Sequence, residues 1–273
     1  MATLVCFHAH PDDECIATGG VMARAAAAGH RVVLVVATRG EHGEVPDGFL
    51  EEGESLSERR VKETAAAAEI LGVRRHEFLG YVDSGMMGVP ENDAPESFWQ
   101  ADVDEAATRL ADILRQENAD VLTVYDANGG YGHPDHIKVH LVGFRAAEMA
   151  GTPRVYEATM DRDQMAELMR TAAAGDGPVA SDSPVAAMAR EMLEGEFPEI
   201  GSPSSAITTR VDVVGFLAQK RAAMRAHASQ IAEESWFLSL PDDAFAMAFG
   251  TETFIRHGAK PGLVEDDVLA GVG

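Results

Sequence analysis

Short apolar segments rich in valine and other β-branched residues alternate with longer segments of helical spacing along the first half of this chain. Each apolar segment has the length of one buried strand, and each longer segment has the length of one helix. The alternation predicts right-handed βαβ units, and therefore an α/β, Rossmann-like fold with a mainly parallel sheet flanked by helices. The predicted strands are residues 3–8, 31–38, 76–79 and 120–125, and the predicted helices are residues 15–28, 57–71 and 103–117.

The second half of the chain has a weaker pattern. Residues 175–204 mix Gly, Pro, Ser and acidic residues, which predicts an irregular insertion able to act as a mobile lid. We expect a poorly ordered tail after Gly258. Further strands are predicted at residues 154–158, 206–213 and 251–256, and further helices at 162–174 and 214–227. We predict one domain over residues 1–273, made of a core (1–150), a variable substrate-shaping region (150–205) and a C-terminal completion (206–257).

The segment His10-Pro-Asp-Asp-Glu14 directly follows the first predicted strand. Several carboxylates at a buried strand end are costly unless a positive charge pairs with them, and the nearest basic residue along the chain is Arg24. A divalent cation would supply that charge, and imidazole with carboxylate is a ligand set suited to zinc. Acidic residues are also common in the first turn of a helix, so capping of the next helix is an alternative.

A second motif, Asn128-Gly-Gly-Tyr-Gly-His-Pro-Asp-His136, follows the predicted strand that ends at Tyr125. Its glycines allow the backbone to approach a ligand closely. Because the carboxyl ends of neighbouring parallel strands meet at one edge of a sheet, the two motifs can face each other across a cleft. His10, Asp13 and His136 would then give three protein ligands and leave a fourth position for water, as in catalytic zinc sites. A histidine at a helix start, taken alone, is equally compatible with a surface position.

The net charge and the cysteine content limit the classes of partner that the protein can bind and the cellular compartments in which we expect it. A formal net charge of −23 repels phosphate backbones and anionic lipid surfaces, so we expect neither nucleic-acid nor membrane binding. Cys6 and Cys15 do not suggest a disulfide framework, and no signal peptide or apolar run of membrane-spanning length is apparent. These features predict a cytoplasmic protein acting on a small molecule, and they leave a homo-oligomer open.

The segments HAHPDDE (8–14) and GGYGHPDHIKVH (129–140) resemble the two signature motifs of the PIG-L/LmbE-like metal-dependent N-deacetylases. The resemblance covers most of residues 3–145 and returns weakly in KRAAMRAHASQ (220–230). Within the family, the chain looks most similar to mycothiol-pathway members, which include an N-acetylglucosamine–inositol deacetylase and a mycothiol conjugate amidase. The resemblance implies a Rossmann-like hydrolase, a Zn²⁺ cofactor with Fe²⁺ possible in the cell, and an N-acylated amino sugar or glycoconjugate as substrate.

The resemblance also implies a role for each site residue. The metal ligands would be His10, Asp13 and His136, and Asp12 would be the general base. His133, oriented by Asp135, would stabilise the oxyanion or protonate the leaving amine. The remaining matches are Tyr131, which would help polarise the amide carbonyl, and three substrate contacts, Arg60, Asp83 and Glu44.

Other interpretations of the same residues give competing hypotheses. A metal-binding protein without turnover is one, although such a protein would not need Asp12. A nucleotide-binding Rossmann enzyme is another, but the chain lacks G-x-G-x-x-G after the first strand. We expect His8 to support the site rather than bind the metal, and His227 to be a surface or hydrogen-bonded residue in a helix.

Overall fold

The fold is built on one sheet of seven strands, seen in a computed structural model that describes residues 1–176, 178–194 and 200–272. The spatial order is β3-β2-β1-β4-β5-β7-β6. The first five strands in this order are parallel to their neighbours, and β7 runs antiparallel to both β5 and β6. The strands are β1 Thr3–His8, β2 Arg31–Val36, β3 Arg75–Phe78, β4 Val121–Tyr125, β5 Arg154–Ala158, β6 Thr209–Asp212 and β7 Thr251–Arg256.

The central strands are apolar because helices cover both of their faces. Every residue of β1 and β4 is buried, which is the pattern of a parallel strand with no solvated face. Two separate apolar clusters pack on the sheet, one containing Leu4 and Cys6 and the other Val5 and Phe7. Alternate residues of one strand therefore enter opposite layers, as the pleat requires. The predicted α/β fold is confirmed.

The order of the strands reverses between β1 and β4. Chain order runs outward from β1 through β2 and β3 on one side, and continues from β4 to β5 on the other. In open parallel sheets this point leaves a crevice at the carboxyl ends of the two central strands, where ligands bind. Both His-Pro-Asp motifs follow these two strands, so the topology brings the motifs to one crevice.

Helices pack on the two faces and begin at recognisable signals. Ser55 forms a capping box with Glu58 at the start of α3, and Asp102 caps α4. The C-terminal residues Asn118 and Gly151 take the left-handed conformation that ends α4 and α6. The helices are α1 Asp13–Ala17, α2 Gly19–Ala27, α3 Leu56–Ile70, α4 Val103–Glu117, α5 Gly129–Gly132, α6 Pro134–Ala150, α7 Arg162–Ala174, α8 Pro184–Glu194, α9 Leu217–Ala226, α10 Trp236–Ser239 and α11 Asp242–Phe249.

Three expectations about secondary structure differ from the structure. The first predicted helix is two helices, α1 and α2, separated at Thr18. The predicted irregular insertion contains α8, while residues 177 and 195–199 lie outside the described part of the chain. The segment after Gly258 is packed rather than loose: Val268 and Leu269 are buried, and the Arg154 guanidinium donates to the carbonyl of Ala270.

No helix within residues 1–176, 178–194 and 200–272 combines the length and the hydrophobicity needed to cross a bilayer.

Candidate active site

Three buried histidine rings meet in the crevice between β1 and β4. His10 lies two residues beyond the end of β1, and its position is fixed by that buried strand. His133 is the N-cap of α6 and His136 lies in its first turn, so both come from the loop that follows β4. One ring nitrogen of each histidine lies within 4.8 Å of a nitrogen of the other two. The two distant motifs therefore face each other, as the topology predicts.

The Asp13 carboxylate lies between two of these rings. Its Oδ2 atom is 3.4 Å from His10 Nδ1 and 3.3 Å from His136 Nε2. Ligands held tetrahedrally at about 2.0–2.1 Å from a zinc ion are themselves separated by about 3.3 Å. The spacing of these atoms therefore fits a small tetrahedral cation. Burial alone would raise the pKa of Asp13, but His136 and His10 outweigh it and hold that pKa well below its ordinary value.

His136 gives the clearest indication that these buried side chains can bind a cation. Its Nε2 is buried and makes no well-formed hydrogen bond among the described residues, although Asp13 Oδ2 lies 3.3 Å away. A buried polar nitrogen without a partner is costly, and a metal ion in front of it would remove that cost. The ring is held by Tyr125, which stacks on it with 4.3 Å between centroids. Tyr125 in turn contacts His8 Nδ1 at 2.8 Å, so His8 supports the site without entering it.

The other nitrogen of His10 faces two carboxylates. Its Nε2 lies 3.1 Å from Asp135 Oδ2 and 3.3 Å from Asp83 Oδ1. A proton on Nε2, donated to these oxygens, leaves the Nδ1 lone pair free for a metal ion. Ser84 holds Asp135 in place, because its backbone N–H donates to Oδ2 at 2.9 Å and its hydroxyl donates to Oδ1.

The contacts of Asp135 differ from the expectation. Its carboxylate bonds to His10 and Ser84, whereas the expected partner was His133. His133 Nδ1 instead accepts a hydrogen bond of 3.1 Å from the backbone N–H of Asp135. The reason is local: His133 caps α6, so its ring turns back onto the first turn of its own helix.

Asp12 directly precedes Asp13 and has an unusual backbone conformation. Its φ of 103° lies in the left-handed region that non-glycine residues rarely adopt. Its Oδ2 accepts a hydrogen bond of 3.2 Å from the Arg60 guanidinium. Burial raises the pKa of Asp12 to about 6, the charge of Arg60 opposes this rise, and the Asp13 carboxylate adds to it. A carboxylate with that pKa is suited to accept a proton near neutral pH.

Arg60 lies below the site rather than at its surface. Only 3% of the residue is exposed, and its guanidinium donates to the carbonyls of Pro11 and Gly40 as well as to Asp12. These bonds tie α3 to the loop that carries the first motif. The position therefore favours support of Asp12 over the expected contact with a sugar hydroxyl.

The Tyr131 ring lies beside two of the three histidine rings. Tyr131 is half exposed, and its ring centroid is 4.9 Å from that of His136 and 6.2 Å from that of His133. It is carried by α5, where Gly130 has a φ of 73° that interrupts the helix. Burial, reinforced by the neighbouring His10 and His136 rings, lowers the pKa of His133 to about 4.

The two remaining expected substrate contacts occupy different environments. Asp83 is 5% exposed and accepts hydrogen bonds from the backbone N–H groups of His42 and Gly85. Glu44 is exposed, and its backbone carbonyl accepts from the Gln230 amide. The acidic residue of this loop that reaches the site is Glu41, whose carboxylate accepts the backbone N–H of Asp83 at 3.0 Å.

Sequence reasoning missed two groups of residues that support the site. Ser84 holds Asp135, and a signal for it existed because it directly follows Asp83 in a loop already singled out. The other group is a buried pair, Glu14 and His227, with 2.6 Å between Glu14 Oε1 and His227 Nε2. These two residues are 213 positions apart, so no local pattern could have joined them.

Comparison with known proteins gives relatives over the whole length of the chain. The chain is 44% identical to the 1D-myo-inositol 2-acetamido-2-deoxy-alpha-D-glucopyranoside deacetylase of Acidothermus cellulolyticus, with 99% of this chain and 95% of that protein covered. It is 40% identical to the protein of the same name from Nocardiopsis dassonvillei, with 97% of this chain and 99% of that protein covered.

Solved structures share the fold at lower identity. The N,N'-diacetylchitobiose deacetylase from Pyrococcus horikoshii superposes with a TM-score of 0.57 at 22% identity, over 95% of this chain and 84% of that one. A deacetylase of the teicoplanin biosynthesis pathway superposes with a TM-score of 0.61 at 17% identity, over 95% of this chain and all of that one.

The profile of the GlcNAc-PI de-N-acetylase (PIG-L) family matches residues 5–147, which contain both His-Pro-Asp motifs and the whole three-histidine cluster. The predicted family is confirmed, and the expectation of a metal-dependent hydrolase that removes acetyl groups from amide nitrogen is confirmed with it. The chain belongs to the GlcNAc-PI de-N-acetylase (PIG-L) family.

Proposed function

We propose that this protein removes the acetyl group from 1D-myo-inositol 2-acetamido-2-deoxy-alpha-D-glucopyranoside, using a zinc ion held by His10, Asp13 and His136. The observation that carries the proposal is the Asp13 Oδ2 atom, which lies 3.4 Å from His10 Nδ1 and 3.3 Å from His136 Nε2, with Asp12 as the neighbouring residue in the same motif. The choice of substrate follows the relatives that carry this name and match the chain over nearly its full length.

The donor set favours zinc among the possible metals. Two imidazole nitrogens and one carboxylate oxygen are common in catalytic zinc sites, which keep a fourth position for water or substrate. When bound there, zinc would polarise the amide carbonyl and lower the pKa of a water molecule in the crevice. Fe²⁺ accepts the same ligands, so a comparison of metals belongs in the test.

Asp12 takes the proton of the attacking water in this proposal. Its hydrogen bond from Arg60 fixes the carboxylate, while the pKa of about 6 keeps it largely ionised at neutral pH. The proton then resides on Asp12 Oδ1 or Oδ2 until the leaving amine takes it. Asp12 therefore acts as the general base when water attacks and as the general acid when the amine leaves.

His133 and Tyr131 stabilise the negative charge that develops on the amide oxygen. Because His133 Nδ1 accepts the backbone N–H of Asp135, the ring proton of the neutral side chain lies on Nε2, which is free to donate. A neutral ring at pH 7 suits donation to an oxyanion better than transfer of a proton to an amine. Tyr131 is half exposed at the mouth of the crevice, and its hydroxyl can donate to the same oxygen.

Recognition of the sugar is expected from groups at the rim. Glu44 is exposed in the loop beside the crevice and keeps its proposed role as a contact for sugar hydroxyls. Asp83 and Arg60 are buried, so we assign them to the support of His10 and Asp12 respectively.

The two cysteines are free and buried, which supports a reducing, cytoplasmic location.

A substrate screen tests the proposal. Protein stripped of metal and reloaded with Zn²⁺ or Fe²⁺ is incubated with the N-acetylglucosamine–inositol conjugate, with free N-acetylglucosamine and with an N-acetylated thiol conjugate, and primary amine release is measured. We expect release from the first substrate to be fastest, and His136→Ala to lose both metal and turnover. Faster release from the thiol conjugate would replace the proposed function with an amidase, and no release from any substrate would leave a non-catalytic metal protein.

A further inference from the structure

We propose that His227 and Glu14 form a buried positioning pair that holds Asp12 in its active conformation. The geometry is a chain of two hydrogen bonds. His227 Nε2 lies 2.6 Å from Glu14 Oε1, and the second oxygen of the same carboxylate, Oε2, accepts the backbone N–H of Asp12 at 2.9 Å. Among the described residues, neither side chain makes a hydrogen bond or an ion pair with His10, Asp13 or His136. The inference rests on the proposed role of Asp12 as the base.

The backbone of Asp12 explains why such support is needed. With a φ of 103° and a ψ of −33°, Asp12 is in a conformation that an L-residue adopts only when its surroundings impose it. The residue also precedes α1, and its side chain caps no backbone N–H of that helix. Instead the side chain turns toward Arg60, while the backbone N–H is held by Glu14. Without the second bond, Asp12 could relax to a common conformation and turn its carboxylate.

Burial and the anchoring of the loop keep the Glu14–His227 pair rigid, so that it can hold the backbone of Asp12 in place. Both side chains are fully buried, so the Glu14 carboxylate has no water with which to replace His227. The loop that carries His227 is itself anchored, because the backbone N–H and the hydroxyl of Ser229 donate to Glu63 of α3 at 2.9 and 2.7 Å. Gln230 continues this anchoring by donating to the carbonyl of Glu44. The end of α9 thus reaches back across the fold to the catalytic loop.

A positioning role has a signature that a purely structural role lacks. Loss of the pair should misplace Asp12 and lower kcat, because the proton transfer needs the carboxylate within hydrogen-bond reach of the water. It should leave KM and the metal content unchanged, because neither the rim nor the metal ligands depend on it. A general loss of structure would instead lower kcat, the metal content and the melting temperature, and would raise KM.

The test compares three variants with one control in the zinc-loaded protein. His227→Ala should lower kcat about 10–100-fold, the usual cost of losing a supporting partner, with KM and bound zinc within about twofold of the wild type. His227→Gln, which can still donate to Glu14, should recover part of the activity. Glu14→Gln can still accept the backbone N–H of Asp12, so its kcat should lie between those of His227→Ala and His227→Gln. Arg225→Met breaks an exposed ion pair with Glu233 without touching Asp12 or Glu14, and should keep the wild-type kcat.

Hydrogen–deuterium exchange at the Asp12 amide tests the pair without any substrate. The amide should be protected in the wild type and in Arg225→Met, and should exchange faster in His227→Ala. Unchanged protection and an unchanged kcat in a folded His227→Ala or Glu14→Gln protein would overturn the proposal. If the wild-type protein releases no amine from any substrate, the proposed function fails, while the exchange result still decides whether the pair holds Asp12.

Discussion

The carboxylate of Asp135 lies 3.1 Å from His10 Nε2, on the side of the ring opposite to Asp13. His10 therefore connects a candidate ligand on one side to a supporting carboxylate on the other. Such an arrangement fixes the tautomer and the orientation of a metal-binding histidine and increases its basicity. Asp135 is itself completely buried and is held by Ser84, so this support is rigid.

The first prediction concerns the metal affinity that this support provides. Asp135→Asn keeps the size of the side chain but removes the charge that faces His10, and we expect zinc affinity to fall about 10–100-fold. Competition with a chromogenic chelator measures the change. Asp104→Asn, which alters an exposed carboxylate paired with Arg145, should keep the wild-type affinity. Equal affinities for the wild type and Asp135→Asn would show that His10 does not depend on Asp135.

The fold was predictable because its signals are local. The buried strand that ends at His8 and the amphipathic helix Val103–Glu117 each follow from the spacing of apolar residues within one element. The meeting of His10 with His136 also followed, since parallel topology brings the carboxyl ends of β1 and β4 together. These steps need only the order of the elements and the handedness of their connections.

The supporting contacts were not predictable because they depend on side-chain packing between distant segments. The turn of Asp135 toward His10, the burial of Arg60 under Asp12 and the Glu14–His227 pair each join elements that no sequence pattern relates. The helix Pro184–Glu194 was missed for another reason. Its flanking Gly, Pro and Ser residues dominate the composition of the region and hide an apolar helical face.

The second prediction concerns the proton acceptor. Asp12→Asn should keep bound zinc and lower kcat by about 10²–10³-fold or more, because an amide cannot accept the proton. In the wild type, kcat/KM should fall as the pH drops through about 6, since protonation of Asp12 removes the base. A bound cation favours the carboxylate, so it shifts this limb to lower pH. Metal analysis with pH–rate profiles checks both points, and loss of zinc from Asp12→Asn would make Asp12 a ligand instead.

The third prediction concerns stability as a function of pH at Glu157. Burial, with the nearby Asp126 carboxylate adding to it, raises the pKa of Glu157 from 4.5 to about 7. The native protein therefore binds this proton more tightly than the unfolded chain does. The contribution favours the native state at low pH and is lost as the pH rises from about 4.5 to about 7.

Glu157→Gln removes this titration, so the free energy of unfolding should fall less steeply with pH over that window. Urea unfolding at several pH values measures the slope. The matched control is Glu69→Gln, an exposed residue of α3, which should leave the slope as in the wild type. Parallel curves for the wild type and Glu157→Gln would assign the pH dependence to other groups.

The fourth prediction concerns the buried ion pair that fastens the C-terminal half to the first helices. Lys220 Nζ lies 2.5 Å from Glu252 Oε1 and also donates to the carbonyl of Ile16. The Glu252 carboxylate accepts the backbone N–H groups of Gly20 and Val21 at the start of α2. Both side chains are nearly inaccessible to solvent, so removing one leaves the other charge buried without its partner.

Lys220→Met should therefore lower the free energy of unfolding by about 3–5 kcal/mol, measured by urea denaturation. Arg225 lies on the same helix as Lys220 and forms an exposed ion pair with Glu233. Arg225→Met should lower the free energy of unfolding by about 1 kcal/mol or less. The double variant Lys220→Met/Glu252→Gln removes both charges and keeps an acceptor for one backbone N–H, so it should be less destabilised than the sum of the two single changes. Additive costs would mean that the pair contributes through packing alone and that its charges are not coupled.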